Sequence, residues 1–469
     1  MFQTAIFKES HIEPLADGIM KVLAQVGIRC ENQQILKAAE ENGAVVDYSL
    51  GQIRFPRKMV ETFIENVSKE TAQRIEANGF EAPAPPTLSI QVAPFIYDYK
   101  HKEKRPGNKQ DFIELAKLGN SLHGDQGVGH FLYLQDVHPL VEPLEAALLL
   151  AEYVDNPRPC FAWDARQIDY LDEMGAILGK GNLTAYGSMC FVHPQRFDMG
   201  VADKFVRLVR SGSPTGLTSM AVAGVTAPVT LEGYVIVAAA EFIAMWLCAR
   251  ALNSAVPLTG DIWPGTMDMA SGAISYATPD SMIYGFAVAE LIRRWCTIDI
   301  TVSAGQYTDS TLPGLAALYE TANKAMLIAS FTGRYTAFGD GMLGSGSTIC
   351  AAQLLLEREY TQALKHLDRR IEPTDENLAL ETILQIGLSN GSSYLETEHT
   401  LRHYRESTWQ PKLLDRLGWV GHEHEDELLG RLQNRVEELI AQYKKPEVDP
   451  DTLHRMSEVS ERAKNDLMR

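Results

Sequence analysis

The stretch TAYGSMCFVHPQRFDMGVADKFVRLVRS, residues 184–211, carries the pattern that decides the fold. A short apolar strand (184–191) meets a His193-Pro194 joint, and a helical segment (200–211) follows. The same unit recurs eight times between Ile90 and Gln353. The predicted strands are 90–96, 127–134, 159–163, 184–191, 214–220, 256–260, 298–303 and 334–338. Their helices are predicted near 110–122, 143–154, 166–178, 200–211, 230–252, 279–295, 314–331 and 350–366. The expected fold is α/β: a (β/α)8 TIM barrel with helical N-terminal and C-terminal additions. An open doubly wound sheet gives the same rhythm, and the count of eight favours the barrel. Function in such a fold is sought at the C-terminal ends of the strands.

Three segments are expected. Residues 1–89 form an α+β cap, with helices over 15–26, 32–41 and 58–67 and a hairpin at 45–55. The run Ala82-Pro83-Ala84-Pro85-Pro86 is a stiff linker to the barrel, 90–369. Residues 370–469 form a helical extension with an apolar stripe through Leu428, Leu432, Val436 and Leu439, ending in a polar tail.

Composition narrows the partners. Forty-three basic against 61 acidic residues leave a formal charge of −18, which opposes binding to nucleic acid or an anionic membrane. The six cysteines show no CxxC spacing, which fits a reducing cytoplasm better than a disulfide framework. Residues 1–10 lack the pattern of a signal peptide. The most apolar stretch, Tyr234 to Ala249, is short for a bilayer and contains Glu241, so it reads as a buried helix of the barrel wall.

The strand ends collect Tyr97, Trp163, Trp263 and Tyr307 together with carboxylates such as Asp261. Aromatic faces attract quaternary ammonium groups by cation–π contact, about 0.5–2 kcal/mol per ring when desolvated. The plain alternative is that these rings only plug the barrel. After strand eight, Gly339 to Gly344 fits GxGxxG, but at the eighth unit and without a strand-ending acid it is a poor dinucleotide site. Gly344, Ser345 and Ser347 suit an anion site instead, with a tight turn and helix cap as the alternative. His193 is a second candidate for holding a carboxylate. His399 and His403 are spaced i, i+4 without the HExxH glutamate, so no bound metal is expected. No GxSxG elbow supports a hydrolase.

Several segments carry a resemblance. They are Val22-Leu23-Ala24-Gln25-Val26-Gly27-Ile28, Ile53-Arg54-Phe55-Pro56, Thr308-Asp309-Ser310 and the C-terminal block His399-Thr400-Leu401-Arg402-His403-Tyr404-Arg405…Trp409-Gln410-Pro411-Lys412-Leu413-Leu414-Asp415-Arg416. Together they resemble the trimethylamine methyltransferase family over nearly the whole chain. The resemblance implies a (β/α)8 barrel that moves a methyl group from a methylamine to the cobalt of a separate corrinoid protein. The founding members carry pyrrolysine. This sequence has only the twenty standard residues, so it looks like the branch associated with glycine betaine, proline betaine, carnitine and related quaternary amines. A quaternary ammonium leaves as a neutral amine and needs no acid, which agrees with the lack of an acid–base pair. The resemblance thus implies cob(I)alamin or another corrinoid on a cognate partner docking at the barrel mouth. A homo-oligomer is also expected. A betaine-binding protein without turnover and a folate-type barrel methyltransferase are the competing readings.

Overall fold

The computed structural model describes residues 5–72, 88, 91–303, 305–332, 339–365, 372–387, 393–414 and 420–469. Strand and helix alternate along the central part of the chain, and the joints explain why. Asn108, Asp198 and Thr278 each end a strand–loop segment and accept backbone N–H groups at the start of the next helix. The helices that follow, Lys109–His123, Met199–Arg210 and Pro279–Cys296, bury one apolar face each.

The strand segments pair in parallel with their successors. Ala93 bridges to Leu132, Val128 to Pro157, and Cys160 pairs with Thr184. Leu217 pairs with both Met189 and Gly260, and Asp261 with Thr301. Ile349 pairs in parallel with Ile96. Parallel neighbours need a crossover, and the intervening helices supply it. The expected eighth strand, 334–338, lies outside the described residues.

Register decides which residues face the helices. Met189, Leu217, Ile262 and Val302 belong to the main apolar core. Their alternates, Cys190, Thr218, Asp261 and Thr301, form one row across four strands and share the opposite face. Gly260 interrupts the helix-facing side because a Cβ there would meet the Phe242 ring at 2.7 Å.

Phe242 belongs to Leu231–Leu252, a helix long and apolar enough to cross a membrane by composition. Its residues from Ala238 to Ala249 are all buried inside the protein. Glu9–Gln25, Gln33–Glu41 and Pro279–Cys296 all pack on it, so no polar face is required. The N-terminal strand Ile28–Cys30 joins Gln52–Arg54 on one side and Arg196–Phe197 on the other.

Toward the C-terminus, His422–Ala441 buries Leu428, Leu429, Leu432 and Val436 against Lys109–His123 and Ala351–Lys365. The polar final segment is a helix, Pro450–Leu467, not a loose tail. Met456, Val459, Ser460 and Ala463 give it one buried stripe against Glu142–Tyr153 and Ile168–Ile177.

Candidate active site

The row of Cys190, Thr218, Asp261 and Thr301 supplies a carboxylate in an unusual setting. Asp261 is partly buried between Thr218 and Thr301, and Ser303 Oγ donates to its Oδ1 at 3.2 Å. Among the described residues it makes no ion pair. Burial raises its pKa above the usual carboxylate value, and the hydroxyls offset this only in part.

Two positions further on, Trp263 meets Tyr307 edge-on with ring centroids 4.7 Å apart. Tyr276 meets the same tyrosine at 5.9 Å. The Tyr307 hydroxyl bonds the Gln91 side chain on the first strand segment, and burial holds its pKa well above that of a free phenol. Gly346 lies against this ring: a Cβ there would sit 2.2 Å from it, and the residue has φ +79°. The buried Lys324 donates to the Tyr307 carbonyl at 2.5 Å. Burial lowers its pKa to about 7, opposed by Asp309 and Glu320. Glu320 in turn accepts the Asp309 N–H at 2.8 Å, fixing the loop that carries Tyr307.

Trp163 belongs to a different aromatic group. It stacks on Phe161 at 6.0 Å and lies 5.8 Å from both His130 and Tyr133. Its indole N–H donates to Glu142 at 2.8 Å, and its relative exposure is 41%. Glu142 is fully buried and also takes His130 Nε2 and the Leu134 N–H, both at 3.0 Å. Tyr97 is buried in the second apolar core, near Lys102 and Cys350, and its hydroxyl titrates above its ordinary value because of burial. The four aromatics singled out in the sequence therefore divide: Trp263 and Tyr307 meet, while Trp163 and Tyr97 lie apart from that pair in the ring contacts.

His193 repeats the His130 arrangement. Its Nδ1 lies 2.9 Å from Glu241, and its Nε2 accepts the Met220 N–H at 2.9 Å. His130 Nδ1 accepts the Phe161 N–H at 3.3 Å. In each case a histidine from one strand end ties a glutamate on a helix to the backbone of the next strand. Both ring nitrogens of His193 are occupied, so it is built to position the Met220 backbone.

The glycine-rich turn is a hairpin: Met342–Leu343 pairs antiparallel with Thr348–Ile349, and the helix starts only at Ala351. Four of its N–H groups are used inside the protein. Gly341 donates to Glu357, Gly344 to Ser310, Ser345 to Thr308 and Ser347 to Gly344. Ser347 Oγ donates to the Gly344 carbonyl at 2.8 Å. His399 and His403 sit with ring centroids 4.6 Å apart on Glu398–Ser407, where His403 reaches Glu376 at 3.2 Å. They line an open cavity of about 600 Å³ with Asp375, Glu381 and Glu398. Among the described residues no group of three histidine, cysteine or acidic side chains could hold a metal ion.

Strand-end reading passes over Tyr276, Glu142 and Lys204. Tyr276 follows a short loop hairpin, Gly265–Met267 with Ile274–Ser275, and is not at a strand end. Glu142 and Lys204 are charged helix residues of the kind that normally face water, and nothing local marks them as buried.

Comparison with known proteins completes the description. Residues 1–467 match the family model described as Trimethylamine methyltransferase (MTTB). The trimethylamine methyltransferase MttB of Desulfitobacterium hafniense is 23% identical over 425 residues, covering 88% of this chain and 84% of that protein. A glycine betaine methyltransferase from Desulfitobacterium hafniense strain Y51 is 24% identical over 465 residues, covering 95% and 94%. The trimethylamine methyltransferase MttB of Methanosarcina barkeri strain Fusaro is 26% identical over 490 residues, covering 98% and 95%. With a parallel strand–helix core and a match over almost its full length, the chain belongs to the trimethylamine methyltransferase family.

Proposed function

We propose that this protein takes a methyl group from a quaternary amine, with glycine betaine the favoured substrate and dimethylglycine the product. The observation that carries the proposal is Asp261, a desolvated carboxylate with hydroxyl partners only, two positions before Trp263, whose ring meets Tyr307 and, through it, Tyr276. A quaternary ammonium has no N–H to donate. It is recognised by countercharge and by π faces, and this cluster offers both. The relative named as a glycine betaine methyltransferase supports the choice of substrate class.

The acceptor we assign is the corrinoid of a separate protein, whose reduced cobalt supplies the nucleophile. What this chain contributes is desolvation, orientation and exclusion of water around the methyl groups. The amine departs neutral, so no general acid is required. Loops after successive strands expose Trp163, Val192, Val225, Val229, Met269 and Leu312. Such an apolar rim suits a docking partner. We take the strands to close as a (β/α)8 barrel within 90–369, flanked by the 1–89 and 370–469 segments.

The test is loss of cob(I)alamin absorbance on mixing enzyme with glycine betaine, choline, carnitine or trimethylamine. Turnover with a quaternary amine and none with trimethylamine is expected. Tight binding of glycine betaine without any absorbance change would replace the enzyme reading with that of a binding protein.

A further inference from the structure

The segment Thr308-Asp309-Ser310 ties together the loops around the aromatic cluster, and each tie uses a different group. Thr308 is buried, and its hydroxyl donates to Glu320. Glu320 also accepts the Asp309 N–H at 2.8 Å and the Ser310 N–H at 3.3 Å. Glu320 and Lys324 lie one turn apart on the helix Leu315–Thr332, so a single helix grips the Tyr307 carbonyl and the next three residues. The Thr308 and Ser310 carbonyls accept the Ser345 and Gly344 N–H groups at 2.7 and 2.8 Å, and so hang the glycine-rich hairpin from the same segment.

The Asp309 carboxylate reaches a third loop. Its Oδ2 accepts the Ser275 hydroxyl, and its Oδ1 accepts the Tyr276 N–H at 3.4 Å. The Ser275 hydroxyl in turn accepts the Ala277 N–H at 3.1 Å. Residues 268–274, just ahead of this grip, are exposed. The place of Tyr276 therefore depends on what holds the chain after them. Asp309 stands two residues beyond Tyr307, so its carboxylate joins the two chain segments whose rings meet edge-on at 5.9 Å.

The relative position of those rings bears on selectivity. A carboxylate by itself favours an ammonium that keeps an N–H, because it accepts that hydrogen bond. Ring faces favour a fully methylated ammonium, which has no donor to leave unsatisfied.

We propose that Asp309 is a positioning residue which, by bridging the Tyr307 segment to Ser275 and Tyr276, holds the two tyrosines together and so sets the preference for a quaternary over a protonated tertiary amine. The proposal rests on the quaternary-amine reading and adds to it the source of that selectivity.

The test is binding by calorimetry of glycine betaine and of dimethylglycine, which is protonated and keeps one N–H at neutral pH. The unaltered protein should prefer glycine betaine. In Asp309→Ala the ratio of glycine betaine affinity to dimethylglycine affinity should fall about 3- to 10-fold, the range of one displaced ring. Asp309→Asn keeps an acceptor for the Ser275 hydroxyl and should recover part of the ratio. Ser275→Ala should lower it too, and the double variant should lose little more than Asp309→Ala, because both changes break one bridge. An unchanged ratio in Asp309→Ala, even with reduced thermal stability, overturns the proposal and leaves the ammonium site standing. If Asp309→Ala fails to fold, an unchanged ratio in Ser275→Ala overturns it. Equal affinity of the unaltered protein for the two ligands also overturns it. Failure of the unaltered protein to bind either one overturns the quaternary-amine reading and the proposal together.

Discussion

Replacing Asp261 with asparagine keeps the shape of the side chain and removes its charge. Asp261 is partly buried and has hydroxyl partners only, so its field is not cancelled by a neighbouring cation. A carboxylate about 5 Å from an ammonium, at an effective dielectric of about 20, contributes about 3 kcal/mol. Affinity for choline should therefore fall roughly 100-fold in Asp261→Asn. The neutral analogue 3,3-dimethyl-1-butanol has the same outline without the charge, and its binding should change far less. Calorimetry with both ligands near pH 7.5 measures the difference directly. Folding should survive, because burial disfavours the ionised carboxylate and asparagine removes that penalty. Equal losses for the charged and neutral ligands would mean that Asp261 shapes the pocket without contributing charge. Undiminished choline affinity would remove it from the site altogether.

Other perturbations probe the surroundings. Trp263→Ala should weaken glycine betaine binding by about 1–2 kcal/mol with little change in thermal stability, and unaltered affinity would take Trp263 out of the site. Gly346→Ala introduces a Cβ 2.2 Å from the Tyr307 ring at a positive φ. It should cost about 1–3 kcal/mol and lower betaine affinity, and a variant normal in both respects would disprove the turn's support of that ring. Glu142→Gln disrupts a buried acceptor of three donors and should cost about 2–4 kcal/mol in urea denaturation with altered tryptophan emission; unchanged stability and emission would refute its role in clamping Trp163. Burial raises Asp340 to about 7 and Glu357 to about 8, so both hold protons in the folded state after unfolded carboxyls have lost theirs. Their contribution is fully present below about pH 4 and is lost as pH rises through about 8. Urea midpoints should fall between pH 5 and 8.5, less steeply in Asp340→Asn, and a slope that Asp340→Asn leaves unaltered would contradict the assignment.

The order of strands and helices is local information, and it was legible. Short apolar runs, turn residues and caps such as Asn108, Asp198 and Thr278 mark the strand–helix joints that lie within the described residues. The apolar helix Leu231–Leu252 was also legible as a core helix, since Glu241 sits inside it. Pairing in parallel follows from the helices between strands. The sequence likewise marked Trp263, Tyr307 and Asp261 as strand-end residues.

Tertiary structure decided which of these residues meet. Register put Cys190, Thr218 and Asp261 on one face, and no local pattern specifies register between strands whose paired residues lie 28 and 43 positions apart. It placed the Trp163 ring against His130 and its indole N–H on the buried Glu142, and so into a different set of ring contacts from the Trp263–Tyr307 pair. It turned the glycine-rich segment into a hairpin, since its N–H groups found acceptors in Ser310, Thr308 and Glu357. It also buried Lys204, whose charge reads in sequence as an ordinary solvated helix position. Burial and partnership depend on what packs from elsewhere in the chain, and so do the charges that a site presents.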